Sequence, residues 1–270
     1  MARLIAILVT LAGLVQPAAA QDSALESLRN GVEGRGWAGV GRLEIAGKGF
    51  CTAVLISETE LLTAAHCLYD RDGTVIDLAR MHFAAGYRDG RALATRDIRR
   101  TAPHPQFQYD TAEAQQAFGY DIALIELQSP IRGTQVAPFE VAPAPRRGND
   151  VGVVSYAVER EEAPSLQEHC GVLETHAEAM ILSCTVDFGA SGAPVFTFGG
   201  GQARIVGVVT AKAQVGLREV AVSATAEANV TLLRAELAGR DAGRLNTAPS
   251  ARVISPGQRN ADIGAKFVRP

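Results

Sequence analysis

Three short stretches of the chain carry residue types that together can perform nucleophilic acyl transfer. Residues 63–67 read TAAHC, so that His66 follows a β-like run ending in small residues. Asp121 leads into the apolar run IALI, and Ser191 lies in the glycine-flanked turn GASG at 189–192. A serine hydroxyl is a weak nucleophile at neutral pH, so it needs a histidine base, which a carboxylate orients. The three stretches together predict a catalytic triad.

These stretches resemble the trypsin/chymotrypsin-like serine proteases, in particular the secreted bacterial members of that family. TAAHC at 63–67 matches the family's histidine motif and DIAL at 121–124 its aspartate motif, while GASGAP at 189–194 is similar to its serine motif with two departures. The histidine and proline at 104–105 and the strand at 206–209 also have family equivalents. The resemblance covers about residues 37–238. It implies a secreted serine endopeptidase that hydrolyses peptide bonds through an acyl-enzyme.

The resemblance also implies a role for each residue of the site. Ser191 is expected to attack the peptide carbonyl, His66 to take and return the proton, and Asp121 to orient His66. The backbone amides of Gly189 and Ser191 are expected to form the oxyanion hole. Asp110 is the second candidate for the acid, in a less convincing sequence context.

Four cysteines allow three disulfide pairings. The resemblance implies one of them, Cys51 with Cys67 beside His66 and Cys170 with Cys184 in the second half of the chain. This pairing keeps each disulfide inside one barrel.

Two departures from the family pattern concern activation and specificity. Ala190 stands where the zymogen-activated members have an acid, so we expect no activation by a new N-terminal amine. Thr185 stands where an acid confers cleavage after Lys or Arg, so strict basic specificity is not expected. Thr210 and Lys212 are predicted to lie across the same pocket, where Lys212 would narrow it or attract an acidic side chain, unless it is a plain surface lysine.

The composition of the chain favours an all-β fold as the scaffold of this site. The 270 residues are 47% apolar and 20% charged and include 27 glycines and 12 prolines, which suits a packed core with many turns. Short β-like runs separated by turn residues predict a sandwich or barrel. They lie at 43–45, 51–56, 61–65, 81–86, 122–127, 151–156, 167–173, 179–186, 193–198, 204–211 and 219–222. With the resemblance, they predict two six-stranded antiparallel β-barrels of the chymotrypsin type and a C-terminal helix over 224–238 that Gly239 stops.

The predicted domain organisation has six parts. Residues 1–20 combine an arginine, a 12-residue apolar run and an AAA end, which is typical of a cleaved secretory signal rather than a retained anchor helix. The remaining parts are an N-terminal segment or short propeptide at 21–36, the first barrel at 37–132, a linker at 133–148, the second barrel with its helix at 149–239, and a flexible tail at 240–270. We expect a secreted or periplasmic monomer that acts on peptide or protein substrates and leaves the membrane after signal cleavage.

Several other functions are disfavoured. With 26 basic against 29 acidic residues there is no positive excess for nucleic-acid binding. An α/β-hydrolase esterase would carry its triad in the order Ser, acid, His. The histidines and cysteines around 169–184 match no zinc spacing, so we expect no metal and no cofactor. A catalytically inactive binding protein with the same fold remains the alternative, although the complete triad and Gly189 argue against it.

Overall fold

The computed structural model of the chain describes residues 22–109 and 118–246. In order along the chain, its strands are β1 (Glu26–Ser27), β2 (Val40–Ile45), β3 (Gly49–Leu55), β4 (Glu60–Thr63), β5 (Met81–Ala85), β6 (Ala94–Pro103), β7 (Ala123–Leu127), β8 (Asp150–Ser155), β9 (Ser165–Thr175), β10 (Ala179–Leu182), β11 (Pro194–Gly199), β12 (Gln202–Val215) and β13 (Arg218–Thr225). A single α-helix of the described ranges, α1 (Glu227–Asn246), follows β13.

The first barrel closes because β2 pairs with both β3 and β5, in the order β2-β3-β4-β7-β6-β5. Leu43 and Ile45 of β2 alternate with more exposed residues and pack inside the barrel against Leu61 and Phe83. This period of two is what a strand with one buried face requires. The closed ring leaves no open strand edge.

The second barrel closes through β8, which pairs with β9 on one side and with β11 on the other. The ring therefore contains β8 to β13, and all its pairs are antiparallel. The short strand β1 lies outside the ring, where Glu26 is opposite Leu166 of β9 and Ser27 is opposite Ser165. The predicted fold of two six-stranded antiparallel barrels is confirmed.

A shared apolar core fills the space between the barrels. Val54 and Leu124 enter it from the first barrel, and Tyr156 and Phe196 enter it from the second. Helix α1 covers one side of this core with residues at helical spacing, namely Val230, Leu233 and Leu237. In the described part of the chain, no helix is both long and apolar enough to cross a membrane.

The connection between the barrels, at 133–148, contacts both of them. The Phe139 amide donates to Leu55 O of β3 at 2.9 Å, and the Ile205 amide of β12 donates to Glu140 O at 2.8 Å. Phe139 also packs on Phe196, with their ring centroids 4.8 Å apart. These contacts fix the two barrels against each other, which matters because the predicted site draws on both.

Two details of the sequence prediction are wrong. No strand was expected at β6, because its sequence ATRDIRRTAP is dominated by polar and charged residues, and only Ile98 and Ala102 of this strand are fully buried. The helix begins at Glu227, because the predicted first residue, 224, belongs to β13. It continues past Gly239 to Asn246. A glycine costs a helix only about 1 kcal/mol relative to alanine, which is too little to end it. The predicted signal peptide and most of the predicted tail lie outside the described residues.

Candidate active site

His66 and Asp121 meet at one end of the first barrel. Thr63 of β4 pairs with Ala123 of β7, so the residues that follow β4 and precede β7 lie at the same end. His66 sits in a short 3-10 helix, Ala65–Leu68, directly after β4. Asp121 directly precedes the buried run that begins with Ile122. The pairing of β4 with β7 thus brings together two residues that lie 55 positions apart in the sequence.

Asp121 holds His66 at two points. Its Oδ2 lies 2.7 Å from the ring nitrogen Nδ1, and its Oδ1 accepts a hydrogen bond of 2.8 Å from the backbone amide of His66. Asp121 is only 8% exposed, whereas His66 is partly exposed. A carboxylate on Nδ1 keeps the proton there, which leaves Nε2 of the imidazole as the basic nitrogen.

Two further contacts fix the backbone around His66. The disulfide Cys51–Cys67 ties the adjacent residue to β3, with a Cα–Cα distance of 6.3 Å. Lys48 Nζ donates to the carbonyl oxygens of His66 at 3.1 Å and of Tyr69 at 2.5 Å. Burial lowers the pKa of the Lys48 ammonium, which the carboxylates of Asp70 and Asp121 partly oppose. Sequence reasoning missed Lys48, whose only signal was its position in the turn before Cys51.

Ser191 lies in a tight turn between the end of β10 and β11. The Ala190 amide donates to Asp187 O at 2.9 Å, and the Ala193 amide donates to Ala190 O at 2.9 Å. The Gly192 amide donates to Val209 O of β12 at 2.7 Å, which attaches the turn to the second barrel. Within the described residues, no hydrogen bond uses the amide of Gly189 or of Ser191 as donor.

The two glycines of this turn have backbone angles and surroundings that exclude a side chain. Gly192 has φ of +79°, and a Cβ there would lie 2.2 Å from Thr63 Oγ1 and 2.3 Å from Thr52 O. Gly189 has φ of +95°, and a Cβ there would lie 2.6 Å from the Phe50 ring. Glycine adopts positive φ without steric cost, so both positions require it. The atoms named here all belong to the first barrel, so the turn packs closely against that barrel.

Thr52 of β3 joins the serine turn to the first barrel. Its amide donates to Ser191 O at 2.9 Å, and its buried Oγ1 donates to Gly189 O at 2.9 Å. The same Oγ1 accepts from the Tyr156 amide at 3.1 Å. Its neighbour Cys51 holds the histidine segment through the disulfide, so adjacent residues of one strand fix both halves of the site. Sequence reasoning missed Thr52, because its two side-chain contacts span 137 and 104 positions.

A cavity of about 350 Å³ opens beside Ser191. Its wall consists of Val186, Asp187, Phe188, Ser191, Val209, Thr210, Ala211 and Lys212. Thr210 is buried and donates to Val222 O at 3.2 Å, whereas Lys212 Nζ lies 3.1 Å from Glu219 Oε2 and 4.0 Å from Asp187 Oδ1. The cavity is therefore mainly apolar at depth and charged at one side.

The structure brings together most, but not all, of the residues predicted for the pocket. Thr210 and Lys212 line the cavity, whereas Thr185 is exposed and is not part of its wall. Gln167 Oε1 accepts a hydrogen bond of 2.7 Å from the Thr185 amide, directly before the wall residue Val186. Asp110, the second candidate for the acid, lies outside the described residues.

The cysteines are paired and offer no metal ligands. Cys51 bonds to Cys67 and Cys170 to Cys184, which are the pairs that the resemblance implies. His66 lies close to the sulfurs of the first pair. A disulfide sulfur carries no thiolate charge, so this group lacks the donors that zinc requires. The histidine and cysteine set around 169–184 loses its two sulfur donors for the same reason.

Comparisons with known proteins concern the family and the fold. The family model described as Trypsin matches residues 31–230. A curated relative, Trypsin from Phaedon cochleariae, is 34% identical over 83 residues, which are 30% of this chain and 29% of the relative. The solved structure of a Glu endopeptidase in complex with MPD superposes with a TM-score of 0.63 at 16% identity, covering 81% of this chain and 98% of that one. At this identity the structural likeness concerns the fold.

Proposed function

Because the chain belongs to the trypsin family, we propose that it is a serine endopeptidase in which Ser191, His66 and Asp121 form the catalytic triad. The observation that carries the proposal is the two-point contact of Asp121 with His66, at 2.7 and 2.8 Å, on the first barrel that also holds Ser191 O through Thr52. A purely structural histidine has no need of a buried carboxylate that fixes both its ring and its backbone. An orienting acid for a general base does need both.

The proposed reaction has two acyl-transfer steps. Ser191 Oγ forms a bond to the peptide carbonyl carbon while its proton passes to Nε2 of His66, and the carbonyl electrons move to oxygen. The amides of Gly189 and Ser191 stabilise this oxyanion, a role in which one donor contributes about 3–4 kcal/mol. The carbon–nitrogen bond then breaks, and His66 returns the proton to the leaving amine. Water repeats the same sequence on the acyl-enzyme and releases the acid and free Ser191.

The proposal extends to where the enzyme works. Two disulfides, Cys51–Cys67 and Cys170–Cys184, favour an oxidising compartment. Together with the signal-like residues 1–20, they support a secreted or periplasmic enzyme of the bacterial type. We expect it to act as a monomer on peptide or protein substrates, with no metal or other cofactor in the reaction.

A peptide library distinguishes this enzyme from an inactive binding protein with the same fold. The secreted protein should cleave internal peptide bonds, and Ser191→Ala should lower kcat/KM on the order of 10⁶-fold with an unchanged Tm, since the hydroxyl is lost only from the reaction. Ser129→Ala removes an exposed hydroxyl of the first barrel and should leave activity unchanged. Absence of cleavage by the unaltered protein would support the binding protein, and full activity of Ser191→Ala would refute the triad.

A further inference from the structure

Residues 22–28, here named the N-terminal strap, lie along the second barrel and form part of its hydrogen-bonded structure. The Ser23 amide donates to His169 O at 2.8 Å, and Ser23 Oγ accepts from the His169 amide at 3.0 Å. Further along, β1 pairs with β9, and the buried Leu28 donates its amide to Pro164 O at 2.9 Å. The strap is thus held at both of its ends.

Gln167 connects the strap to the segment that forms one wall of the cavity. This side chain of β9 is only 2% exposed. Its Nε2 donates to Ser23 O at 2.9 Å, and its Oε1 accepts from the Thr185 amide at 2.7 Å. Thr185 directly precedes Val186 and Asp187, which belong to the cavity wall and lead to the serine turn. The buried Gln167 side chain therefore connects the strap to the segment that leads to the cavity wall.

Asp22 provides a second connection, to the opposite wall. Its Oδ1 accepts from Ser183 Oγ, and its Oδ2 lies 3.0 Å from Arg218 Nη2. Arg218 begins β13 and is followed by Glu219, whose carboxylate lies 3.1 Å from Nζ of the cavity residue Lys212. The strap is thus connected through Gln167 to the segment that leads to one side of the cavity, and through Arg218 to the strand next to Lys212 on the other.

We propose that the N-terminal strap is a permanent part of the active enzyme and that Gln167 is a positioning residue through which the strap sets the substrate pocket. This inference rests on the proposed endopeptidase function and deepens it, because it assigns a specificity role to residues that neither touch substrate nor lie near the triad. It also decides between the two roles expected for residues 21–36, in favour of a retained segment over a removable propeptide.

The physical reason is the satisfaction of buried polar groups. With the strap in place, both polar atoms of the Gln167 side chain and the His169 amide have partners. Removal of the strap would expose this part of β9 and leave the Gln167 Nε2 donor without Ser23 O. The Gln167 side chain, no longer held at Nε2, would then turn toward water or another acceptor. That movement would release the Thr185 amide and with it the cavity wall.

A double-mutant cycle in the full chain tests the connection. Gln167→Leu removes the connecting amide, and Ser23→Pro removes both the strap's backbone donor to His169 O and the hydroxyl that accepts from the His169 amide. Each should raise KM for peptides about tenfold, because each weakens the connection between the strap and the cavity wall. Since both act through one connection, the double variant should be no worse than the more damaging single variant. Gln128→Leu, at an exposed position of the first barrel, is the matched control and should change nothing.

Two readouts separate positioning from general damage to the fold. The rate of labelling by a small fluorophosphonate depends on the serine and its base but not on the depth of the pocket. It should change less than about threefold in the Gln167 and Ser23 variants while KM rises. Asp22→Asn is a milder variant that keeps the acceptor for Ser183 but loses the charge facing Arg218, and it should change cleavage-site preference with little change in Tm. Additive effects, or equal losses of labelling and peptide cleavage, would overturn the positioning role.

Mass spectrometry of the labelled mature enzyme tests whether the strap is retained. The fluorophosphonate-labelled protein should still contain residues 22–28. Labelled and fully active protein that begins beyond Leu28 would show that this segment is a propeptide and would overturn the proposal. Failure of the unaltered protein to label at all would instead refute the proposed function, so the two outcomes are distinguishable.

Discussion

The strand pairing is more regular in the first barrel than in the second, and the two barrels contribute different parts of the site. In the described ranges the first barrel has one register shift, in the pairing of β6 with β7 near Ile98. The second barrel has four, one each in the pairs β9–β10, β11–β12, β12–β13 and β8–β9. The shift in β12–β13 falls between Val209 and Ala211, at cavity residue Thr210. Bulges bend strands and redirect side chains, and they are frequent next to active sites.

This comparison indicates that the first barrel fixes the contact between His66 and Asp121, whereas the second shapes the cavity. His66 follows β4 and Asp121 precedes β7, and these two strands pair without a register shift. Ser191 follows a segment that lies between strands and is held by separate contacts, such as the hydrogen bond from the Thr185 amide to Gln167. Changes in the second barrel should therefore alter substrate binding, while changes to the His66–Asp121 pair should alter the chemical step.

The largest expected effect comes from breaking the pair on the regular barrel. Asp121→Asn retains the shape of the side chain but favours the wrong tautomer of His66, so kcat should fall about 10⁴-fold with KM nearly unchanged. Asp187→Asn is a matched change in the second barrel, at an exposed cavity residue, and should affect KM more than kcat. Comparable kcat for Asp121→Asn and the unaltered enzyme would remove Asp121 from the triad.

A glycine pair tests the contact between the two barrels. Gly192→Ala places a Cβ against Thr63 and Thr52 of the first barrel and should lower the unfolding free energy by about 2–5 kcal/mol through backbone strain plus overcrowding. Gly201→Ala has almost the same φ, +78°, in open space, so it reports the backbone strain alone, about 1–2 kcal/mol. Denaturant unfolding gives both values, and only Gly192→Ala should also lose peptidase activity. Equal destabilisation would show that the serine turn is not wedged against the first barrel.

The smallest expected effect concerns the buried His104 of the first barrel. Burial lowers its pKa below the ordinary value of 6.5, opposed by the carboxylates of Glu236 on α1 and Glu178 before β10. The folded state therefore binds this proton less readily than the unfolded state, and stability falls as pH drops from about 6.5 toward the lowered pKa. Protonation would also end the hydrogen bond that Nδ1 accepts from the Gln106 amide.

Thermal unfolding as a function of pH measures this effect. His104→Gln should lower Tm modestly at pH 7.5, where the neutral histidine packs on Tyr120, but should flatten the loss of Tm between about pH 7 and pH 5.5. A parallel fall of Tm in the variant and the unaltered protein would mean that His104 does not contribute to acid sensitivity.

The fold could be predicted where the sequence pattern is local. Alternating buried residues identify strands such as β2, and the apolar run after Asp121 identifies β7. Strand β6 could not be found in this way, because Arg96, Arg99 and Arg100 carry their charges on a strand that closes the barrel through pairing with β5 and β7. Arg99 and Arg100 of this strand form ionic contacts with Glu126 of β7, which an apolar sequence pattern does not reveal.

The same distinction applies to the site. The triad candidates could be found because each lies in a short local motif, and the glycine at position 192 follows from the same motif. Thr52, Lys48 and Gln167 could not be found, because their roles depend on contacts that only the closed barrels create, such as Thr52 with Gly189 across 137 positions. The family resemblance implies a pocket position for Thr185, but its contact with Gln167 has no sequence signature.

Mapping the covalent adduct of a fluorophosphonate tests the central claim, that Ser191 is a nucleophile activated by His66 on the opposite barrel. We expect one adduct, on Ser191, and no adduct in His66→Ala or Ser191→Ala. An adduct on any other residue, or undiminished labelling of His66→Ala, would contradict it.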